Sequence, residues 1–192
     1  MIPICLILFI LFIAVITFAI KRADSAQAKV TEEFWEKERK ANSTLRGDTT
    51  DLCYITIPEK FFPLDLRDKT LVNLTGMTNT DLKLKYGILN FKKLSEYDDN
   101  FTKFVSMLPD YYNRLKEAGY ESLCNELLDF AVEQGADSKN VYSLLANAYI
   151  SMSKTDRLAA LIEKAKQLNS LSRDGIVSML ESLQADTASA GN

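Results

Sequence analysis

The fold is decided by residues 105–138, VSMLPDYYNRLKEAGYESLCNELLDFAVEQGADS, because they align without a gap on the 34 residues that follow. The second copy, residues 139–172, reads KNVYSLLANAYISMSKTDRLAALIEKAKQLNSLS. A fixed period of this length is typical of helical hairpins stacked into an array, in which each unit supplies two helices. The sequence therefore predicts a helical repeat over residues 105–172.

Apolar residues recur at equivalent positions of the two copies and predict two helices in each. The fourth, seventh, eighth and eleventh positions share one face of a first helix, and the 20th, 24th and 27th share one face of a second. These positions hold Leu108, Tyr111, Tyr112, Leu115, Cys124, Leu128 and Ala131 in copy one, and Tyr142, Leu145, Ala146, Tyr149, Leu158, Ile162 and Ala165 in copy two. Gly119 marks the turn between the helices of copy one, where copy two has Ser153.

Two phrases within the copies, Leu115–Ala131 (LKEAGYESLCNELLDFA) and Tyr142–Tyr149 (YSLLANAY), resemble the tetratricopeptide repeat family. This resemblance implies a short helical solenoid whose concave face is lined by the first helix of each unit and holds a peptide or protein partner. A generic bundle of amphipathic helical hairpins is the alternative. The order of features along the whole chain also resembles single-pass, membrane-anchored bacterial proteins with such repeats, which implies an architecture and no activity.

The second, fifth, ninth, twelfth and thirteenth positions of each first helix point into the concave face by periodicity. They hold Ser106, Pro109, Asn113, Lys116 and Glu117 in copy one, and Asn140, Ser143, Asn147, Ile150 and Ser151 in copy two. From this set the predicted partner-binding residues are Ser106, Asn113, Lys116, Asn140, Ser143, Asn147 and Ser151. An alternative is that these polar residues only keep an exposed helix hydrated.

The resemblance gives two of these positions a specific role. In peptide-binding members of the family an Asn at the ninth position, here Asn113 and Asn147, contacts the peptide backbone. A basic residue at the fifth position often holds a terminal carboxylate there, but this chain has Pro109 instead. Clamping of a terminal carboxylate at the fifth position is therefore not expected.

Residues 2–20, IPICLILFILFIAVITFAI, carry no charge and are apolar except for Pro3 and Thr17. As a helix they span about 28 Å, close to the roughly 30 Å hydrocarbon core of a bilayer. A cleaved secretory signal is the alternative, but such signals have a basic segment before the apolar run, and nothing basic precedes Ile2 except the terminal amine. The sequence predicts a transmembrane anchor over residues 1–20.

Basic residues lie only on the C-terminal side of this apolar segment. They are Lys21, Arg22, Lys29, Lys37, Arg39 and Lys40. The positive-inside rule then predicts a cytoplasmic C-terminal region, with the opposite, extracytoplasmic placement as the alternative. Cys5, Cys53 and Cys124 form no paired framework, as expected in a reducing compartment.

Between the apolar segment and the repeats the pattern changes twice. Residues 21–50 predict a helical stalk and a loop, since residues 24–42 lack Gly and Pro and pair Glu33 with Lys37 at i,i+4 spacing. Residues 51–104 predict a connector and a helical cap for the first repeat. Within them Cys53–Ile57 (CYITI) predicts one short extended piece without a second strand, and Phe61-Phe62-Pro63-Leu64 an apolar connector.

Two further segments of this region predict helices that cover the first repeat. Asn79 or Thr80 begins one helix that ends near Tyr86, and Asn90 caps another that starts at Phe91. The segment Leu82–Phe104 supplies the apolar side chains that are expected to cover the repeat, namely Leu89, Leu94, Phe101 and Phe104. Residues 51–186 are expected to form one cooperative domain.

The C-terminal residues predict a capping helix over residues 173–185, because Ile176, Met179, Leu180 and Leu183 recur at i, i+3, i+4 and i+7. Residues 186–192 predict a disordered tail. The predicted fold class is therefore all-α, with an N-terminal transmembrane helix and stalk followed by a short solenoid and its capping helix.

The composition of the chain excludes several classes of catalytic and binding site. The chain has 192 residues, a net charge of -3 and no histidine, which excludes Ser-His-Asp catalysis and His-ligated zinc. The glycines form no phosphate-binding pattern, and the cluster of Glu96, Asp98 and Asp99 is interpreted as a solvated helix start rather than a calcium site. The region from residue 105 onward has 12 acidic and 8 basic residues, and this net negative charge disfavours binding to nucleic acid.

No enzyme activity, cofactor or metal is therefore expected. The predicted function is that of a membrane-anchored adaptor or scaffold that holds a protein partner or peptide segment at the cytoplasmic face. The alternative is a structural subunit, or a self-assembling component of a membrane complex, because so few repeats bury a thin core.

Overall fold

The computed structural model describes residues 4–61, 66 and 69–190, and these residues are mostly α-helical. The all-α prediction is thereby confirmed. The chain forms two compact units, one of residues 1–48 and 79–91 and the other of residues 49–78 and 92–192. Each unit is defined by the contacts within it.

The first unit contains helices α1 (Ile4–Ser43) and α2 (Asn79–Tyr86). The apolar segment and the predicted stalk are thus one continuous helix of 40 residues, since no Gly or Pro interrupts it after Pro3. The loop that follows α1 and the helix that ends at Tyr86 are both as predicted. Ile2 and Pro3 lie outside the described residues. No helix formed by the described residues combines the length and the apolar character needed to cross a membrane.

Polar contacts join α1 to α2. The Glu38 carboxylate accepts hydrogen bonds from Lys83 Nζ at 2.5 Å and from Thr80 Oγ1 at 2.6 Å. The hydrogen bond from Lys83 is the main reason that the pKa of Glu38 lies below its ordinary value. The chain leaves α1 in direct backbone contact with the end of α2, because Gly47 N–H donates to Tyr86 O at 2.9 Å. A Cβ atom on Gly47 would lie only 2.1 Å from Lys85 O, so this position requires glycine.

Helix α3 (Ile88–Glu117) begins in the first unit and continues through the second. It starts before the predicted cap Asn90, whose side chain instead donates to Tyr86 O at 2.8 Å. The acidic cluster of residues 96–99 therefore lies inside a long helix, and its interpretation as a helix start was wrong. Asp98 is half-buried and accepts a hydrogen bond from Leu74 N–H at 2.9 Å.

The second unit begins with a two-stranded antiparallel sheet, so the prediction of a single extended piece was wrong. Strand β1 (Tyr54–Ile55) pairs with β2 (Leu71–Val72), with Tyr54 opposite Val72 and Ile55 opposite Leu71. Each strand has two residues, too few for the alternating pattern that identifies a strand in sequence. A short 3-10 helix, Glu59–Phe61, follows β1, and the predicted connector residues Phe62, Pro63 and Leu64 lie outside the described residues.

The repeat region forms two helical hairpins with the predicted period. Helix α4 (Glu121–Glu133) follows the end of α3, and α5 (Lys139–Ser151) and α6 (Thr155–Lys166) form the second hairpin. The start of α6 follows the start of α4 by 34 residues. The predicted packing positions of both copies are buried, except for the half-buried Leu115. The core positions that were derived from the period are therefore confirmed.

The first hairpin is covered by the connector rather than by the whole segment Leu82–Phe104. Ile55, Ile57, Phe61 and Leu66 are buried in the same core as the repeats, together with Phe101 and Phe104 of α3. Leu89, which was expected to contribute, is 59% exposed and belongs to the first unit. Aromatic contacts join the connector and α3 to the first hairpin. Phe61 and Phe104 both pack on Phe130 of α4, at centroid distances of 5.8 and 6.1 Å.

The last helix, α7 (Arg173–Ala190), packs against α5 and α6. Ile176 and Leu180 are fully buried, and Met179 and Leu183 are half-buried, which agrees with the predicted apolar face. The helix extends past the predicted end at residue 185, because the next residues include good helix formers and no Gly before Gly191. Gly191 and Asn192, the end of the predicted disordered tail, lie outside the described residues.

Candidate functional site

The predicted partner-binding residues lie on α3 and α5 and are largely accessible. Six of them, Ser106, Asn113, Lys116, Asn140, Asn147 and Ser151, are exposed, and Ser143 is half-buried. We call these seven residues the first-helix face. Two other residues that were predicted to point into the concave face are not polar. Pro109 and Ile150 are half-buried, and Ile150 packs against the core.

The serines of the first-helix face are bonded to their own helices. Ser106 Oγ donates to Lys103 O and Ser151 Oγ donates to Ala148 O, both at 2.8 Å. Asn147 Nδ2 approaches Ser143 Oγ at 3.5 Å, the outer limit of a hydrogen bond. Asn113, Asn140 and Lys116 are therefore the groups of this face that have no hydrogen-bond partner among the described residues.

Lys116 and Ser151 also line a cavity between the two hairpins, at the end where each hairpin turns. Its volume is about 440 Å³. We call it the turn-end cavity. The buried side chains of Tyr112, Cys124, Ala148 and Tyr149 contribute to its wall. Asn113 and Asn147 are exposed and do not line the turn-end cavity.

A polar network joins the two hairpins at this cavity. Tyr149 Oη of α5 donates a hydrogen bond to Asp129 Oδ1 of α4, and Arg157 Nη1 of α6 lies 3.6 Å from Asp129 Oδ2. The Arg157 guanidinium also lies over the Tyr149 ring, 6.0 Å from its centroid. Burial, assisted by the hydrogen bond to Asp129, raises the pKa of Tyr149 to about 12. The Tyr149 hydroxyl is therefore protonated at neutral pH and acts as a donor.

Cys124 is a structural thiol. Its Sγ donates to Tyr112 O at 3.5 Å, and burial raises its pKa above the ordinary value. A protonated, buried thiol is a poor nucleophile. Cys53, by contrast, is exposed. No group of three or more Cys, Asp or Glu side chains in the described residues is arranged to hold a metal ion.

Sequence analysis missed the polar members of this site. Tyr149 was assigned only to the core, and Asp129 and Arg157 were assigned to no site. The sequence did contain one signal for this site. Asp129 in the second helix of copy one and Arg157 in the second helix of copy two have opposite charges, and they face each other when the hairpins stack. That pairing depends on which faces meet, and the period alone does not define it.

No protein-family model, curated protein or solved structure matches this chain.

Proposed function

We propose that this protein is a membrane-anchored interaction module, in which residues 2–20 form the anchor and a short array of tetratricopeptide-like hairpins holds a segment of a protein partner at the cytoplasmic face. The observation that carries the proposal is the repetition of backbone geometry at a spacing of 34 residues. It supports a stacked array, whose first helices present one shared surface.

The repetition extends to individual hydrogen bonds. Tyr120 N–H donates to Leu115 O in the first hairpin, and Lys154 N–H donates to Tyr149 O in the second, both at 2.9 Å. These pairs differ by 34 positions at both ends. This hydrogen bond is common where helices end, and Ala136 N–H makes it with Ala131 O at 3.0 Å as well, so the argument depends on the equal 34-residue spacing of the two turns. The repetition therefore favours the solenoid hypothesis over a generic bundle.

The first-helix face supplies the binding chemistry in this proposal. Asn113 and Asn147 occupy the same position of successive first helices and are both exposed. A side-chain amide has both donors and an acceptor, so it is able to pair with the N–H and C=O groups of an extended peptide. An exposed pair at repeated positions suits a partner that binds in an extended conformation.

The anchor and its orientation are supported by the sequence. Counted over the sequence, and including Ile2 and Pro3 outside the described residues, the apolar run of residues 2–20 has the length of a bilayer span, and Lys21 and Arg22 follow it directly. In the described part of α1 the large apolar side chains between Leu8 and Ile20 are exposed, so they require an apolar environment outside the first unit.

Partner enrichment tests the proposed binding face. The full chain, extracted in detergent after crosslinking in cells, should enrich a discrete partner that is reduced at least several-fold by Asn113→Ala combined with Asn147→Ala. Gln167→Ala, an exposed residue at the end of α6, serves as the matched control and should enrich the same partner normally. Equal enrichment by wild type and the double variant would refute the assignment of the face.

Cys53 tests the orientation because its thiol is exposed whereas Cys124 is buried. A membrane-impermeant maleimide should label the protein only after the cells are permeabilised, and Cys53→Ser should abolish that labelling. Labelling of Cys53 in intact cells would place the C-terminal region outside the cytoplasm.

Self-assembly is the second candidate function, and exposed aromatic residues on α1 favour it. Val30, Phe34 and Trp35 are 67%, 52% and 55% exposed, and the rings of Phe34 and Trp35 pack edge to face at 5.4 Å. A second copy of the chain would bury this patch. If so, the full chain in detergent should dissociate on dilution, and Trp35→Glu should shift it to a monomer.

A further inference from the structure

Residues 73–76, which follow β2 directly, contact parts of the second unit that are far apart in the chain. Asn73 Nδ2 donates to Gln134 O at 2.9 Å, where α4 ends. Leu74 N–H donates to Asp98 Oδ1 at 2.9 Å, and the Leu74 side chain is buried. This end of the segment is therefore attached to the first hairpin, through both α3 and α4.

The other end of the segment contacts the link between α6 and α7. A Cβ atom added to Gly76 would lie 2.3 Å from Asn169 Nδ2 and 2.8 Å from Asn169 O. The second of these atoms belongs to the backbone, so rotation of a side chain does not relieve the contact. Gly76 also has a φ of +88°, which disfavours any residue with a Cβ atom. The close approach to the link therefore depends on glycine at this position.

The contact between Gly76 and Asn169 is not one that stacking of the repeats supplies. In a solenoid each unit contacts only its neighbours, and the placement of the units follows from those contacts. Residues 73–76 precede both repeats, yet they contact the link that follows the second one. The second hairpin is thereby held by a segment outside the array as well as by its neighbour.

We propose that residues 73–76 are a strap that fixes the second hairpin and α7 in position relative to the first hairpin. The strap joins the ends of α4 and α6 that lie opposite the hairpin turns. A small rotation between successive units sets the curvature of a repeat array. A strap across the free ends of two hairpins restrains that rotation, and its release at either end removes the restraint.

The strap and the link do not fill the space between them. Residues 75–78 and 169–173 together line a groove of about 710 Å³, to which Asp137 also contributes. The two segments thus meet closely at Gly76 and Asn169 and leave open space beside this contact. Separation at Gly76 therefore requires no rearrangement of a packed core.

The strap has a consequence for binding, and this consequence alone rests on the proposed function. Asn113 and Asn147 belong to different hairpins, so the strap determines how far apart their amide groups lie. A partner that contacts both amides binds with a smaller ordering cost when this distance is already fixed.

Double electron–electron resonance on the full chain in detergent measures the restraint directly. Spin labels are attached at two exposed positions, one at the end of α3 and one on α7, introduced as Arg114→Cys and Ser182→Cys. Cys5 and Cys53 are replaced by serine, and the buried Cys124 is retained. With the strap intact, the two labels should give one narrow distribution of distances.

Two variants release opposite ends of the strap. Asn73→Ala removes the hydrogen bonds to the end of α4, and Gly76→Ala forces the strap away from Asn169. Each should broaden the distribution of distances between the labels. The combined variant should broaden it no further than either substitution alone, because a strap that is free at one end restrains nothing.

Gly119→Ala is the matched control for Gly76→Ala. Its φ of +84° imposes the same backbone cost, but no atom lies within 4 Å of the added Cβ. The distribution in this variant should stay as narrow as with the strap intact. Equal broadening in Gly119→Ala and Gly76→Ala would overturn the proposal, because it would indicate a general loss of stability.

Asn73→Ala decides the outcome even where Gly76→Ala fails to fold. An unchanged, narrow distribution in Asn73→Ala, with the helical content of wild type by circular dichroism, would overturn the proposal. Additive broadening in the combined variant would overturn it as well, because two independent local contacts behave in that way. The distance measurement involves no partner, so its result does not depend on the proposed function.

Discussion

Gly119 and Ser153 occupy the same place in successive hairpin turns, and both have a left-handed backbone. Their φ angles are +84° and +54°, and Ser153 is the only non-glycine residue with a positive φ in the described part of the chain. A left-handed conformation is costly for a residue with a Cβ atom and free for glycine. The second turn therefore reproduces the first with a less suitable residue.

Ser153→Gly should stabilise the protein by about 1 kcal/mol, because it removes this strain. The expected readout is a rise of a few degrees in the midpoint of thermal unfolding, followed by circular dichroism. Gly119→Ala should lower the midpoint by a similar amount, since no atom lies within 4 Å of an added Cβ and only the conformation is penalised. Ser151→Gly, within α5, is the control and should destabilise. An unchanged midpoint in Ser153→Gly would contradict the repeated turn.

Two buried tyrosines should respond in opposite directions to the same substitution. Tyr111 Oη donates to Phe61 O at 2.7 Å, so Tyr111→Phe should cost about 1–2 kcal/mol by leaving a buried carbonyl unpaired. Tyr142 Oη is buried without a hydrogen-bond partner among the described residues, so Tyr142→Phe should be neutral or stabilising by about 1 kcal/mol. Chemical denaturation of both variants measures the difference. A loss of stability in Tyr142→Phe equal to that in Tyr111→Phe would contradict this assignment.

Asn73, which follows β2 directly, forms hydrogen bonds with the first hairpin. Its Nδ2 donates to Gln134 O at 2.9 Å and to Gly135 O at 3.1 Å, where α4 ends. Asn73→Ala should reduce stability by about 1–2 kcal/mol, because it removes the donor from the terminal carbonyls of α4. Asn140→Ala, an exposed site, is the control and should change stability little. Faster hydrogen exchange confined to the end of α4 would identify the lost contact.

Asp98 should make stability depend on pH. Burial raises its pKa above the ordinary value, with Asp99 and Asp137 adding to the effect. Because the folded-state pKa lies above that of the unfolded chain, this contribution to stability is present below the unfolded pKa and is lost as pH rises through the folded pKa.

The matched variant is Asp98→Asn, which retains an oxygen for the Leu74 N–H. It should be more stable than wild type at pH 7 and similar to it at pH 3, as measured by thermal unfolding at both pH values. Asp110→Asn, an exposed position of the same helix, should not show this difference. A greater stability of wild type than of Asp98→Asn at pH 7 would contradict the sign.

The 34-residue period predicted the core positions, because the same kinds of side chain recur there. It did not predict features that depend on a single contact. Leu108 and Tyr142, or Cys124 and Leu158, were placed correctly in the core because burial follows helical periodicity. Strand β2 was missed because two residues carry no pattern, and its partner Tyr54 is distant in sequence. The network of Asp129, Tyr149 and Arg157 was missed because it depends on how one hairpin meets the next. The left-handed Ser153 was visible only as a replacement for Gly119.

Site-specific photocrosslinking tests the first-helix face most directly. Benzoylphenylalanine replaces Asn113, Asn147 or, as the control, Gln167 in the full chain, and crosslinks are formed in living cells. The account predicts that positions 113 and 147 crosslink to one common protein other than this chain, and that position 167 does not. Crosslinks only between copies of this chain, or the same products from all three positions, would contradict a partner-binding face on α3 and α5.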